Sequence, residues 1–366
     1  MDKLNLSAAL DDAMHEKELA GLEPAFVLDA LLEHDANFFF QEELELEQLT
    51  LELETQEAKL EQLDQLEEEL MLAQFDDQAT AAMYANKVIM LGGTVDKELI
   101  TKTQIGEELK VTVGGIKKAV GAGIKALWDK VKNLVAKLLD RDQRYIDNGK
   151  QYIKALKASQ FKDGMEITYS GQALYFTNSK NAFSFRGITA VLNDLIRVDV
   201  APFAGNVVRL QGDIETVGND TWEELKKIKG VEEDGKNLKY NAGTDDIAFG
   251  IVWSQAKGGV KGKFQASRNM LAPYLSGSRK ATGLYNGNEV IEMMETSVGI
   301  LEAIKKTGEA INRGQLQSQL EKEDEEAVAK AKTNSVLSTM QAFMKAQRTG
   351  AMGGITIGVN YVKSLK

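Results

Sequence analysis

The sequence contains no cysteine, only three prolines and only two histidines. Without cysteine the chain can form neither disulfide bonds nor thiolate metal sites, and this composition fits a reducing compartment. His15 and His34 both lie near the amino terminus. A histidine-based catalytic triad or metal site is therefore impossible in the rest of the chain. No apolar run approaches the roughly 20 residues that a bilayer-spanning helix needs.

Recognisable motifs for phosphate and nucleotide binding are also missing. Gly115, Gly121 and Gly123 lie close together, but the string Gly-x4-Gly-Lys-Ser/Thr does not occur. Asp245 and Asp246 in "NAGTDDIAF" are interpreted as a turn before a strand. The acidic start "MDKLNLSAALDDAMHEKE" lacks the apolar segment of a secretory signal. We therefore expect no enzyme activity, no cofactor, no metal and no small-molecule ligand.

Charge is divided unevenly along the chain. Residues 1–107 carry 26 acidic and 6 basic side chains, a net charge of −20. The remainder carries 29 acidic and 38 basic side chains, a net charge of +9, so the whole chain has a net charge of −11. The sign changes in "KTQIGEELKV", residues 102–111. This asymmetry predicts an acidic leader, residues 1–107, attached to a basic body, residues 108–366.

The residue patterns predict a mainly α protein with a small α+β portion. The predicted elements are acidic coiled-coil-like helices, amphipathic helices, a short β-hairpin or sheet and a C-terminal helical hairpin. Four regions follow from the changes in pattern: an acidic helical leader at 1–107, a cationic amphipathic helical segment at 108–150, a mixed α+β region at 151–288, and a helical hairpin with a tail at 289–366.

Leucines recur at alternating steps of three and four residues within residues 41–72. The series is Leu46, Leu49, Leu53, Leu60, Leu63 and Leu70, with Gln56 and Glu67 at the two missing positions. Such spacing predicts a short coiled-coil-like seam, or an amphipathic helix packed on its own domain. The many like charges on this helix repel one another, so a basic partner would stabilise it. Residues 92–115, with "GGTVDKEL" and the glycine pair of "KVTVGG", are expected to be a linker.

A cationic amphipathic helix is predicted over residues 115–142. Its apolar stripe consists of Ile116, Val120, Ile124, Leu127, Val131, Leu134, Val135 and Leu138, with Trp128 at the border. Its basic residues are Lys117, Lys118, Lys125, Lys130, Lys132 and Lys137. The stripe could lie in a membrane interface, face a partner, or pack on the protein's own core. Helical periodicity continues to about residue 159, after a possible break at Asn148-Gly149.

The mixed region combines β-prone runs with short helices. "MEITYSGQALYFTN" predicts a hairpin around Ser170-Gly171, and "DDIAFGIVWSQ" predicts another strand. "NDTWEELKKIKG" predicts a helix that Asp220 or Thr221 caps and Gly230 ends. In "KGGVKGKFQASR", Lys257, Lys261 and Lys263 could contact phosphates, or the segment could be a solvated loop.

Helical patterns return after residue 288. One stripe consists of Val290, Ile291, Met294, Val298, Leu301, Ile304 and Ile311, and a shorter one of Val336, Met340, Phe343 and Met344. These stripes predict a helical hairpin. A glycine-rich break at "TGAMGG" and a strand-like or short tail at "ITIGVNYV" are expected to follow.

Two parts of the sequence resemble the internal head proteins that large tailed bacteriophages package with the prohead core. One is the acidic, leucine-rich leader. The other is "GIKKAVGAGIKALWDKVKNLVAKLLDRDQRYIDNGKQYIKALKAS", followed by "YSGQALYF". The resemblance implies cleavage by a prohead protease after Glu, with Leu, Ile or a small residue two positions earlier. Ile105-Gly106-Glu107 fits this pattern where the charge changes sign.

The cleavage pattern also occurs elsewhere. Gly21-Leu22-Glu23 is an alternative site, and the pattern recurs at Leu31-Leu32-Glu33, Leu66-Glu67-Glu68 and Ile300-Leu301-Glu302. The last of these lies in a predicted buried helix, where a protease would need local unfolding. Position at the charge boundary therefore favours the cut after Glu107.

The resemblance implies a virion structural protein of the capsid interior, assembled in the host cytoplasm. Its leader would direct packaging with prohead core proteins. Its basic body would remain with the DNA and could then be ejected into the host. DNA contact would be sequence-independent and salt-sensitive. The alternatives are a scaffold or assembly protein that binds coat protein, a membrane-active ejection protein, and an enzyme that uses only carboxylate, Lys, Ser or Tyr groups.

Overall fold

The computed structural model describes most of the chain. The described residues are 38–72, 78–91, 109–158, 166–169, 176, 185–244, 247–256, 259–266, 279–282, 287–312 and 326–364. They confirm a mainly α fold with a small α+β portion.

Helices account for most of the described residues. In chain order they are α1 (Phe38–Leu72), α2 (Gln78–Met90), α3 (Leu109–Ala158), α4 (Phe185–Leu195), α5 (Ala201–Arg209), α6 (Ile214–Lys226), α7 (Gly287–Asn312) and α8 (Glu326–Ser364). The strands are β1 (Glu166–Tyr169), β2 (Val231–Asp234), β3 (Asn237–Thr244), β4 (Ile247–Ala256), β5 (Gly259–Ala266) and β6 (Arg279–Thr282). The strand predicted in "DDIAFGIVWSQ" is confirmed as β4.

The chain divides into two compact units. One unit is Leu44–Arg141, and the other combines Asp142–Lys366 with the chain up to Glu43, so the first residues of α1 belong to it. The boundary falls inside α3, so this helix contributes its first part to one unit and its last part to the other.

In the Leu44–Arg141 unit, the leucine series of the leader packs on its own chain. Leu53, Leu60 and Leu63 of α1 are buried, as is Leu66. Leu60, Leu63 and Leu66 share one apolar cluster with Val88 of α2 and apolar residues of α3. The seam predicted from the leucine spacing thus serves as the core-facing side of an amphipathic helix.

Two helix interruptions predicted from glycine do not occur. The predicted linker reached residue 115, but α3 begins at Leu109 and includes the Gly114–Gly115 pair. The possible break at Asn148-Gly149 is also wrong, because α3 continues to Ala158. A Cβ atom on Gly149 would lie 2.8 Å from Val298 Cγ2 of α7, so glycine allows a close approach between helices here.

The carboxyl-terminal prediction is also corrected, because residues 326–364 form the single helix α8. The "TGAMGG" sequence is no break, and "ITIGVNYV" is helical. All residues from 351 to 359 are buried. A helix that is covered all round lies at the centre of a unit. Around α8 lie β1, β4, β5 and the helices α4, α5, α6 and α7.

The predicted helical stripes in this unit are confirmed as buried faces. The buried residues of α7 are Val290, Ile291, Met294, Val298, Leu301 and Ile304, and those of α8 include Val336, Met340, Phe343 and Met344. Close packing of α7 against α8 makes them the predicted helical pair. Ile311 belongs to α7, but its side chain is outside the described residues.

The larger sheet is antiparallel, with strand order β2-β3-β4-β5. Tyr240, Ile251 and Phe264 are paired across it on the face that packs against the helices. Phe343 of α8 contacts this face, with ring centroids 5.4 Å from Tyr240 and 5.5 Å from Trp253. The sheet therefore covers one side of α8, and its other face carries mostly polar side chains.

The segment "KGGVKGKFQASR" is largely a strand and not a solvated loop. Residues 259–266 form β5, which pairs with β4 on one side. On its other side, the Val260 N–H donates to Ser335 Oγ at 3.0 Å and the Gly262 N–H to Ser338 Oγ at 2.7 Å. The serines of α8 thus satisfy backbone donors of a sheet edge, which an unpaired strand would leave exposed.

The hairpin predicted around Ser170-Gly171 has its turn outside the described residues, so it stays a prediction. Within the described residues, the partner of β1 is β6, with Glu166 opposite Thr282 and Tyr169 opposite Arg279. The two strands are more than one hundred residues apart in sequence. A local turn signal cannot reveal such a partner, because the two strands are so far apart in the chain.

Asp213, and neither Asp220 nor Thr221, caps α6. The Asp213 carboxylate accepts a hydrogen bond from the Thr216 N–H at 2.8 Å, and the helix begins at Ile214. Thr221 is buried inside the helix, where its hydroxyl donates to the Val217 carbonyl at 2.7 Å. The predicted end is close to the observed one, since Gly230 with φ of 90° follows the last turn.

Asp213 makes stability depend on pH. Hydrogen bonds from Thr216 lower the pKa of the Asp213 carboxyl below its ordinary value. The ionised cap therefore stabilises the fold above about pH 3.8, and this contribution is lost as the pH falls through the lower, folded-state pKa. Asn can also cap a helix, but its amide side chain does not ionise, so the cap in Asp213→Asn does not depend on pH in this way. We expect the wild type to melt at a higher temperature than Asp213→Asn at pH 7, and this difference in melting temperature to become smaller below about pH 4. Thermal unfolding at a series of pH values measures the difference. A difference that does not change with pH would contradict the role of the ionised cap.

Candidate functional site

The predicted cleavage residues lie outside the described part of the chain. This holds for Ile105, Gly106 and Glu107, and for the alternative site Gly21, Leu22 and Glu23. The described helices on either side place the first site between α2, which ends at Met90, and α3, which begins at Leu109. By contrast, the pattern at residues 300–302 lies inside α7, where Ile300 and Leu301 have no exposed surface.

The apolar stripe predicted on α3 is a buried face. The buried members are Ile116, Val120, Leu127, Val131, Leu134 and Leu138, and Val135 is half-buried. Ile124 and Trp128 also belong to α3, but their side chains are outside the described residues. The face that could have met a membrane or a partner is therefore covered within this chain.

One apolar cluster joins the leader to the body across the predicted cut. Leu60, Leu63 and Leu66 of α1 and Ala85 and Val88 of α2 form the leader's part of it. The part from α3 consists of Ile116, Ala119, Val120 and Leu127. Each of these nine side chains is at most 8% exposed. The leader therefore buries the apolar face of α3 from Ile116 to Leu127.

Charge reinforces this contact between leader and body. Glu45 of α1 forms an ion pair with Arg141 of α3, and their side chains are 51% and 19% exposed. The partial burial of Arg141 shields the pair from solvent more than an ordinary surface pair. An acidic helix of the leader is therefore bound to the basic helix of the body by a charged contact as well as an apolar one.

The basic residues predicted on α3 are partly described. Lys118, Lys130 and Lys137 are exposed. Lys117, Lys125 and Lys132 lie on the same helix, with side chains outside the described residues. The described lysines therefore lie at the surface of α3 while the apolar stripe is covered, as expected for an amphipathic helix.

A second basic surface lies on the outer face of the larger sheet. Lys261 and Lys263 of β5 are exposed and, being two residues apart, point to the same face. Lys239 of β3 lies on that face too, because Lys239 and Lys263 both pair with Val252. Asp234 forms an ion pair with Lys239 at 2.7 Å and reduces its charge. Lys257 lies outside the described residues.

Sequence reasoning missed a third basic surface, a groove between the last part of α3 and α7. Its volume is about 230 Å³, and its lining residues are Gln143, Ile146, Lys150, Glu302, Lys305 and Lys306. Lys150 and Glu302 form an ion pair at 2.7 Å, and this hydrogen bond raises the pKa of Lys150 although burial opposes the shift. Three lysines against one glutamate leave the groove positively charged. No sequence signal could identify it, because the two helices are far apart in the chain.

A buried ion pair was also not evident in the sequence. Arg348 of α8 donates to both carboxylate oxygens of Asp142 in α3, through Nε and Nη2 at 2.7 Å each. The side chain of Asp142 is fully buried and that of Arg348 is 9% exposed. The two-point geometry and the burial indicate that the pair holds α3 against α8.

No described group of residues resembles a metal site, since the described part of the chain contains no cluster of three or more His, Asp or Glu side chains suited to a metal ion. Among the described helices, none is both long enough and apolar enough to span a membrane. Comparisons with family models, curated proteins and solved structures found no match for this chain. A functional proposal therefore depends on its charge, its packing and the resemblance of its sequence.

Proposed function

We propose that this chain is a virion structural protein of a tailed bacteriophage, packaged inside the capsid with the prohead core. In this proposal the prohead protease removes the leader after Glu107, and the basic body remains with the DNA. The observation that carries it is the position of the charge change. The net −20 leader and the net +9 body meet in the interval between α2 and α3.

The packing supports a leader that is a temporary part of the protein. Residues 44–72 of α1 and all of α2 belong to the Leu44–Arg141 unit, whereas the described buried side chains around α8 all come from Asp142 onward. Loss of the leader would remove described partners of α3 but none of the helices and strands that make the main contacts with α8. A body that keeps its core after cleavage is what proteolytic maturation requires.

The distribution of lysines supports non-specific binding to DNA. Exposed lysines lie on α3, on the outer face of the sheet and along the groove between α3 and α7. Such dispersed charges favour contacts with phosphates over the reading of base edges. The leader, with its net charge of −20, would oppose this binding until it is removed.

The first test compares DNA binding before and after cleavage. A recognition sequence for a site-specific protease is inserted after Glu107, so that the full chain folds before it is cut. We expect the cut and separated body to bind duplex DNA of any sequence. The logarithm of its association constant should fall with the logarithm of the salt concentration with a slope steeper than about −3. The uncut chain should bind at least about tenfold more weakly. Fluorescence anisotropy over a series of salt concentrations measures both quantities.

Two variants locate the contact. Lys261→Glu combined with Lys263→Glu should make the salt dependence shallower by about 2, because each lysine that leaves a phosphate lowers the slope by about 1. Lys227→Glu combined with Lys229→Glu makes the same change of charge at exposed residues after α6, outside the three basic surfaces, and is the comparison for a general charge effect. Equal affinities of the cut and uncut chains would contradict the proposed role of the leader.

A further inference from the structure

The packing of α3 has a consequence for the mature protein. We propose that removal of the leader converts the first part of α3, residues 109–141, into a binding surface for an anionic lipid bilayer. This inference rests on the proposed maturation, since it is cleavage that would uncover the surface.

The first step is the loss of apolar cover. The four buried residues of α3 in the apolar cluster are Ile116, Ala119, Val120 and Leu127. The cluster's five other buried side chains come from α1 and α2, and all five belong to the leader. When the leader leaves, these four residues of α3 lose those partners. Exposure of a continuous apolar stripe to water is unfavourable, by roughly 25 cal/mol for each Å². The uncovered stripe therefore requires a new apolar environment.

The second step is the charge around the stripe. Residues 109–141 contain seven lysines, one arginine and two aspartates, a net charge of +6. Lys130 and Lys137 are exposed and lie two helical turns apart, so they lie along one side of α3. The leader that covers this helix is acidic, and Glu45 already pairs with Arg141. A bilayer with anionic headgroups offers the same two features as the leader, namely negative charge and an apolar interior.

Charge also favours a bilayer over a second copy of the chain as the binding partner of the uncovered stripe. Two uncovered α3 segments would bring charges of +6 together, and like charges at short distance oppose association. Duplex DNA supplies the negative charge but no apolar phase for Val120 and Leu127. An anionic bilayer offers both negative charge for the lysines and an apolar interior for the stripe.

The third step is the anchor that remains. Beyond Asp142, α3 has Tyr145, Tyr152 and Leu156 fully buried. Arg348 holds Asp142 itself through two hydrogen bonds. These contacts are made by residues that cleavage leaves in place. The mature protein would thus keep the last part of α3 in its folded core and present the first part for binding.

The test uses the full chain with the protease site after Glu107. The chain is incubated before and after cutting with vesicles of phosphatidylglycerol and phosphatidylcholine, or of phosphatidylcholine alone, and then sedimented. We expect the body to sediment with the mixed vesicles at least about tenfold more strongly than the uncut chain, and more strongly than with neutral vesicles. Size-exclusion chromatography in the absence of lipid establishes whether the leader separates and whether the body stays monomeric.

Variants test the surface itself. Lys130→Glu with Lys137→Glu should weaken sedimentation with the mixed vesicles by about tenfold or more, because each lysine near an anionic surface contributes to binding. Lys261→Glu with Lys263→Glu makes the same change of charge on the sheet and should have a much smaller effect. Circular dichroism confirms that each variant keeps its helix content.

Several outcomes would overturn the inference. They are a leader that stays bound after the cut, a body that remains in the supernatant, a body that self-associates without lipid, and equal effects of the two pairs of variants. Because the cut is engineered, none of these results bears on whether the native chain is cleaved in a particle. A native chain found uncut would in turn refute the proposed function without changing the vesicle result.

Discussion

Replacing Gly354 with leucine is expected to lower the free energy of unfolding of the Asp142–Lys366 unit by about 3 kcal/mol or more. Gly354 lies in the buried part of α8. A Cβ atom there would collide with Ser297 Oγ of α7 and lie 3.2 Å from Leu192 Cδ1 of α4. The leucine side chain would have to enter a core with no room for it. Thermal unfolding followed by circular dichroism should show a melting temperature lower by about 6–12 °C.

Gly205→Leu is the matched control for this change. Gly205 lies in α5 of the same unit, is exposed, and has no atom within 4 Å of the position that a Cβ would occupy. The same substitution there should raise stability by about 0.5–1 kcal/mol, because leucine favours helix over glycine. If Gly354→Leu melted within a degree or two of the wild type, residues 350–358 would not pack as a continuous helix, and the break predicted at "TGAMGG" would be restored.

The second large effect is expected for Arg348→Met, which should cost about 3–5 kcal/mol. The change leaves the Asp142 carboxylate buried without the guanidinium that now donates two hydrogen bonds to it. A buried charge without a partner is far less stable than the same charge in water. Chemical denaturation with urea measures the loss as a lower midpoint. In the double variant Asp142→Leu with Arg348→Met, both charges are gone and much of the stability should return.

Lys150→Met supplies the comparison for an exposed ion pair. Lys150 and Glu302 are 2.7 Å apart, but their side chains are 56% and 50% exposed. Solvent screens such a pair, so its removal should cost less than about 1 kcal/mol. A similarly small effect of Arg348→Met would show that the Asp142–Arg348 pair does not hold α3 against α8.

Sequence periodicity predicted the parts of the fold that depend on local pattern. The stripe from Ile116 to Leu138 and the stripe from Val290 to Ile304 are both buried helix faces. β4 was predicted from its β-branched and aromatic residues. Burial of one face imposes a repeat on the sequence, so a helix or strand of this kind can be identified without its partners.

Glycine misled the sequence-based prediction at three places for one physical reason. A glycine costs about 1 kcal/mol in a helix interior and is therefore a reasonable signal for a break. At Gly149 and Gly354, however, the absent side chain lets Val298 and Ser297 of α7 approach. That benefit depends on residues far away in the sequence. The glycine pair at residues 114–115 is likewise helical.

Long-range pairing explains most of the remaining differences. β1 pairs with β6, and Asp142 pairs with Arg348, across more than one hundred residues in each case. Neither partner leaves a periodic signal around the other. The candidate surfaces show the same limit. The sequence predicted the stripe of α3 but left open a membrane, a partner or the protein's own core as its contact. Its packing with Leu63 and Val88 is a tertiary contact without a local signal.

The central claim is that the leader is removed at the charge boundary. The most direct measurement is the amino-terminal sequence and intact mass of the chain extracted from purified mature particles. The account predicts a chain that begins at Glu108, which would establish both the leader and the cut after Glu107. A cut after an upstream glutamate would keep the maturation and move its boundary. A chain that still begins at Met1 would contradict the account and favour an assembly protein whose acidic leader is permanent.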